Sequence, residues 1–461
     1  MKNGVIAVLV VALLGLSWWH FGEVTEAPEV AADRFGAVRE VVRSMQGAEG
    51  FREASVGFCL LDSGGAVVVD ERGGEAMIPA SALKTVATAT ALELLGPGFR
   101  FETRVGVTAE VVDGVVDGDL VVVGGGDPTL GEVGLGELVE AVRGAGVLRV
   151  TGGVIGDARV FPEAGASDYW NWGDVGNAYG APVCGLNFAR NRLVLGFRPG
   201  RVAGERAEFL GASLQLDGVE WENRVVTGAV GSGDGTVVYG GPYAGRVVMR
   251  GTVPAGEKRF EVGAALPDPP RYVAQRVRQL LEEGGVRIDG AARGSREVVD
   301  AVDVVAVLGR TRSVPLEEIV RHINRVSDNV EAQVLYLKTG GEQAVREHWA
   351  GRGLVFSGLR IEDGSGLARA NHVTPLDLAR LNRLAATGPA GDVFVGVSNP
   401  YYGGRVRWKG GAMSSVRSYV GCVDSESGER FTFCLMVNHY RSSAEVFGGW
   451  RAAVVESVLR L

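Results

Sequence analysis

A helical pattern of apolar positions covers about Asp33 to Met45. Next, Ala54–Leu61 and Ala66–Asp70 read as the two strands of a hairpin turning at Asp62-Ser63-Gly64-Gly65. Pro79 and Ala80 lead into a helix expected over Ser81–Leu95, stopped by Gly96-Pro97-Gly98. From about Phe99 to Leu266 the character changes. Thr103–Val107, Asp119–Val123, Leu148–Ile155 and Arg246–Val253 are short, valine-rich and separated by Gly or Asp, which predicts a β-rich region. Helical periodicity returns at Pro270–Glu283, Leu316–Asn324, Val330–Leu337 and Pro375–Ala385. Strands are expected at Arg405–Lys409, Ser418–Val423 and Arg430–Val437, with a closing helix over Ala444–Leu459. Helix-plus-strand segments at both ends thus flank a β-rich middle. The simplest reading is one α/β (α+β) domain, about 31–98 and 267–461, interrupted by an inserted domain over about 99–266.

Composition narrows the class. The chain has 461 residues, too many for one ordinary core, and its 46% apolar and 22% charged fractions suit a globular protein. Its 70 glycines suit many tight turns. A net charge of -8 without a basic stripe argues against nucleic acid as a partner. Cys59, Cys184, Cys422 and Cys434 form no Cys-x-x-Cys pair, so a zinc or thioredoxin-like site is not expected; buried free thiols are, with one bridge as the alternative. The histidines form no HExxH pair, so no metal ligand set is visible. Lys2 precedes an apolar run from Gly4 to Leu16, which reads as a signal peptide or an uncleaved membrane anchor within residues 1–22. The body of the chain is then expected outside the cytoplasmic membrane.

Three short motifs carry candidate chemistry. Ser81-Ala82-Leu83-Lys84 opens a helix, and residues three apart share a face, so Lys84 can reach the Ser81 hydroxyl. A partly desolvated lysine can take the proton that a serine nucleophile must lose. Ser327-Asp328-Asn329 lies between two helical patterns, where Ser327 could relay a proton and Asn329 could bond a substrate amide; plain helix capping would use the same residue types. Lys409-Gly410-Gly411 ends a strand pattern. Lys409 could attract a peptide carboxylate, the glycines admit substrate backbone, and the Ala412 amide could join that of Ser81 as an oxyanion hole.

In this order and context the motifs resemble those of the class C low-molecular-mass penicillin-binding proteins, the D-alanyl-D-alanine carboxypeptidase/endopeptidase family. Further stretches are similar: Gly124-Gly-Gly-Asp127-Pro128-Thr129-Leu130, Tyr179-Gly-Ala-Pro182 with Leu186-Asn187, and Asp363-Gly-Ser-Gly-Leu367 with Arg369. The resemblance runs from about Val56 to the C-terminus. It implies a penicillin-binding-protein/serine β-lactamase-like transpeptidase fold, with an antiparallel sheet, helices on both faces and an inserted β-rich domain. It implies cleavage of D-alanyl bonds of peptidoglycan peptides through an acyl-enzyme on Ser81, acylation by β-lactams, and no cofactor. Lys84 would be the base, Ser327 the relay, and Asn329, Lys409, Gly410, Gly411 and Ala412 the substrate holders. Asp157 would meet the stem peptide from the insertion, although it also reads as a turn aspartate. Trp408 could line a peptide groove, whereas core packing is expected for Trp170 and Trp172.

One departure matters. The family's third motif is Lys-Thr-Gly, and this chain has Gly410 where the threonine hydroxyl helps hold a carboxylate. A literal Lys338-Thr339-Gly340 ends a helical run, where Gly340 reads as a C-cap, so it is set aside. Two other readings stay open: a β-lactamase built on the same constellation, against which the long insertion argues, and a wall-binding scaffold that has lost turnover, which Gly410 makes credible.

Overall fold

A computed structural model describes residues 33–161, 165–298 and 302–461. The expected leader or anchor at 1–22 lies outside the described residues. The main sheet has six antiparallel strands in the order Asn399–Tyr401, Val406–Met413, Val416–Asp424, Arg430–Asn438, Ser55–Leu61 and Val67–Glu71. The hairpin and the three C-terminal strands therefore pair as one sheet, with Ser55–Leu61 beside Arg430–Asn438 although they lie at opposite ends of the chain.

Strand alternation sorts the side chains onto two faces. Val56, Phe58 and Leu60, with Phe431, Phe433 and Leu435, pack against helices Gly36–Gly47 and Ala444–Leu459. Cys59, Leu61, Cys434 and Met436 face the other way, into a helical layer. That layer holds Lys84–Leu95, Leu316–Val326, Asn329–Lys338, Gly341–Gly351 and Pro375–Ala386. With both faces covered, Arg430–Asn438 is buried along all but its first residue, which is why it reads as a nearly continuous apolar run. All four cysteines are free thiols.

The insertion is larger than the sequence pattern suggested. Strand Ala306–Arg312 pairs antiparallel with Glu102–Val107 at the edge of a five-stranded sheet. Helix Pro269–Glu283 buries Val273, Ala274, Val277 and Leu281 in the insertion's own core, with Val105, Leu120 and Val154. The boundary placed near 267 is thus corrected to about 313. An amphipathic pattern announces a buried face but not which core receives it. The insertion also contains a helix, Glu132–Gly144, inside the stretch read as β-rich.

Candidate active site

The Ser81 segment is held under local strain and close packing. Ala80 has φ 45°, a left-handed conformation unusual for a residue with a side chain. Ser81 sits in a tight 3-10 turn, Ala80–Leu83, that continues into helix Lys84–Leu95. The fit around it tolerates only glycine. A Cβ at Gly411 would lie 2.7 Å from both the Ser81 amide nitrogen and the Pro79 carbonyl oxygen, and one at Gly366 would strike the Ala80 carbonyl. The Ser418 hydroxyl donates to the Pro79 carbonyl and ties the turn to the sheet. Strand Val406–Met413 therefore runs directly beside the Ser81 amide. Ala412 follows on that strand, exposed, opposite Arg417.

Lys84 is fully buried, and its Nζ has three oxygen neighbours: Ser81 Oγ at 2.8 Å, Asn329 Oδ1 at 2.6 Å and the Ser365 carbonyl at 2.6 Å. Burial, helped by the charge on Lys409, holds its pKa well below the ordinary lysine value. Lys409 is also buried. It donates to Ser327 Oγ at 2.9 Å and to the Gly410 carbonyl at 2.7 Å, and desolvation lowers its pKa to about 8. Ser327 caps helix Leu316–Val326 in a left-handed conformation, φ 61°, which turns the chain so that Asn329 opens the next helix. Asn329 Nδ2 donates to the Tyr179 carbonyl of the insertion at 2.7 Å. Two hydrogen-bonded groups, Ser81–Lys84–Asn329 and Ser327–Lys409, thus come from three separate stretches of chain, and the charge of Lys409 is felt at Lys84.

The intervening Asp328 does the capping, accepting from the Glu331 amide at 2.9 Å. Two insertion arginines hold this loop from outside: Arg192 pairs with Asp328 at 2.9 Å, and Arg190 with the buried Glu331 at 2.8 Å. His322, Asp328 and Glu331 could together offer three metal-ligand atoms, but both carboxylates are already neutralised by these arginines. The group reads as an interdomain clamp.

The matching family profile, described as the D-Ala-D-Ala carboxypeptidase 3 (S13) family, covers residues 44–457. This chain belongs to that family. The D-alanyl-D-alanine carboxypeptidase of Actinomadura sp. (strain R39) is 30% identical over 409 residues, covering 81% of this chain and 75% of that one. D-alanyl-D-alanine carboxypeptidase DacB of Haemophilus influenzae is 23% identical, covering 81% and 83%. The crystal structure of penicillin binding protein 4 (dacB) from Haemophilus influenzae superposes with a TM-score of 0.76 at 21% identity, over 92% of this chain and 97% of that one. A second structure of that protein, complexed with a novel β-lactam, gives 0.72 at 19% identity over the same shares. The chain is therefore a serine-type D-Ala-D-Ala carboxypeptidase/endopeptidase of the S13 family with the penicillin-binding-protein 4 fold.

Not every expected residue joins the S13 site. Asp157 ends a strand and accepts from Arg159 Nε at 2.8 Å; it lines a different groove, with Phe99, Arg104 and Lys338. Trp408 does line the groove beside Lys409 and Ser327. Trp170 is buried and donates from Nε1 to Asp363 at 2.9 Å, whereas Trp172, expected in a core, is 70% exposed. Lys338-Thr339-Gly340 ends helix Asn329–Lys338, with Gly340 at φ 100°, as its helix-terminating role requires.

Two site components carry no side-chain signature in the sequence: the Ser365 carbonyl on Lys84 and the Tyr179 carbonyl on Asn329. Both are backbone groups. The available signal for the first was Asp363-Gly-Ser-Gly-Leu, a loop-forming stretch in which Gly366 allows close approach to Ala80.

Proposed function

We propose that this enzyme acts outside the cytoplasmic membrane on peptidoglycan stem peptides, with Ser81 as nucleophile and Lys84 as its base. The supporting observation is the geometry at Lys84 Nζ. In the neutral amine, two N–H bonds donate to Asn329 Oδ1 and the Ser365 carbonyl, and the lone pair is left facing the Ser81 hydroxyl 2.8 Å away. The Ser81 proton passes to Nζ as Oγ bonds the carbonyl carbon of the penultimate D-alanine. Backbone amides of Ser81 and Ala412 hold the oxyanion.

Ser327 Oγ accepts from Lys409, so its own O–H is free to donate to the leaving amine as the C–N bond breaks. Lys409 returns a proton to Ser327 and is restored by the proton that Lys84 took from Ser81, which leaves Lys84 neutral again. Water then attacks the acyl-enzyme and releases a peptide ending in a carboxylate. A β-lactam offers Ser81 a strained amide in place of that peptide bond, and the complex of the Haemophilus influenzae relative with a β-lactam supports penicillin acylation here.

Incubation with purified muropeptides, with products read by mass, tests the reading. Free D-alanine and split dimers are the expected products, and Ser81→Ala removes both. Intact muropeptides after incubation with the folded wild type would sink it.

The lysine pKa shifts give a pH profile. Below its lowered pKa Lys84 is protonated and cannot accept the Ser81 proton, so kcat/KM falls on the acid side. Lys409 loses its charge as pH rises through about 8, so carboxylate binding weakens on the alkaline side. A bell-shaped profile with its alkaline limb near pH 8 is expected. Lys409→Arg moves that limb upward, since a guanidinium stays charged. An unmoved limb would remove Lys409 from carboxylate binding.

A further inference from the structure

Gly410 lies directly opposite Tyr419 on the neighbouring strand. A Cβ at 410 would come within 3.2 Å of Tyr419 Cε1, so the phenol ring crowds the side that a threonine would occupy. The ring in turn leads to Arg451 of the closing helix. The Arg451 guanidinium carbon is 5.4 Å from the Tyr419 ring centre and 5.4 Å from that of Trp408, and Nη1 lies 3.5 Å from the Tyr419 hydroxyl. Arg451 Nε is buried without a hydrogen-bond partner, and no carboxylate pairs with Arg451 among the described residues.

These groups share one groove with two residues of the site, Ser327 and Lys409. Ser327, Lys409 and Gly410 line it together with Arg325, Tyr419 and Arg451, and neither Asp nor Glu does. A cationic groove without acids, lined by Ser327 and Lys409 of the site, suits an anion. The motif threonine that would hold the leaving residue's carboxylate is missing, and an arginine and a phenol stand next to the gap.

We propose that Arg451 and the Tyr419 hydroxyl form a replacement subsite for the carboxylate of the leaving D-amino acid. Substrates ending in a free carboxylate are then preferred through Arg451. The inference builds on the peptidase reading, and the test separates the two. Turnover is compared for an acyl-D-Ala-D-Ala acid and its C-terminal amide.

The wild type should prefer the acid at least tenfold in kcat/KM. Arg451→Met should erase most of that preference, mainly through KM. Arg451→Lys should keep part of it, and Tyr419→Phe should lower it about threefold. Arg460→Met, an exposed change just past the end of the same helix, should leave it intact. An unchanged acid-to-amide ratio in both Arg451→Met and Tyr419→Phe overturns the subsite. If Arg451→Met does not fold, the ratio in Tyr419→Phe and Arg451→Lys decides. Failure of the wild type to cleave either peptide would instead remove the peptidase reading.

Discussion

Lys84→Met is expected to slow acylation of Ser81 by penicillin about a thousandfold while leaving the protein folded. Methionine is unbranched and only one atom shorter, so it suits the buried position, but it has no amine to receive the Ser81 proton. Loss of a positioned general base typically costs a factor of about 10²–10⁴, and here the base has been fixed by two further acceptors. The stability balance has opposing parts. Asn329 Oδ1 and the Ser365 carbonyl each lose a donor, at about 1–3 kcal/mol per unsatisfied group. Against that, a fully buried amine with a strongly depressed pKa no longer has to be desolvated. The large effect should therefore fall on the rate. Stopped-flow labelling with a fluorescent penicillin, beside a calorimetric melt, separates the two. Labelling within tenfold of wild type would mean that another group takes the Ser81 proton.

Much of this site was readable because its chemistry sits in short stretches of fixed local geometry. Ser81 and Lys84 are three residues apart at the start of a helix, and Ser327 and Asn329 flank a capping aspartate. Those spacings dictate direction without tertiary information. Lys409 was harder, because a strand lysine is commonly a solvated edge residue. Only the fold shows it buried against Ser327. Asp157 was harder for the complementary reason. Its placement depended on how the insertion docks, and its carboxylate is taken up locally by Arg159.

The domain limits show what periodicity omits. Helix Pro269–Glu283 was correctly read as amphipathic, yet its apolar stripe belongs to the insertion. Strand Ala306–Arg312 closes that domain by pairing with Glu102–Val107, about two hundred residues earlier. No local pattern encodes such a return. The arginines that brace the Asn329 loop, Arg190 and Arg192, were invisible for the same reason. They make the insertion part of the active site's support.

That support has a second and deeper anchor, and Asp363→Ala should expose it. Asp363 is fully buried, and its two oxygens gather donors from all around the loop. Oδ1 accepts from the amides of Ser365 and Gly366, each at 2.7 Å, and from the Ser365 hydroxyl at 2.6 Å. Oδ2 accepts from the Ala368 amide at 2.6 Å and from Trp170 Nε1 at 2.9 Å. Alanine would leave these donors facing a cavity. Removing one partner of a buried charged network costs about 3–5 kcal/mol, and the melting temperature should fall accordingly. The same bonds aim the Ser365 carbonyl at Lys84 Nζ, so penicillin labelling should drop by at least about tenfold at temperatures where the variant remains folded. Asp363→Asn keeps one acceptor and the shape, and should recover part of the stability with less of the rate. If Asp363→Ala melts at a lower temperature but labels at the wild-type rate, the loop holds the domain together and the Ser365 carbonyl does not orient the base.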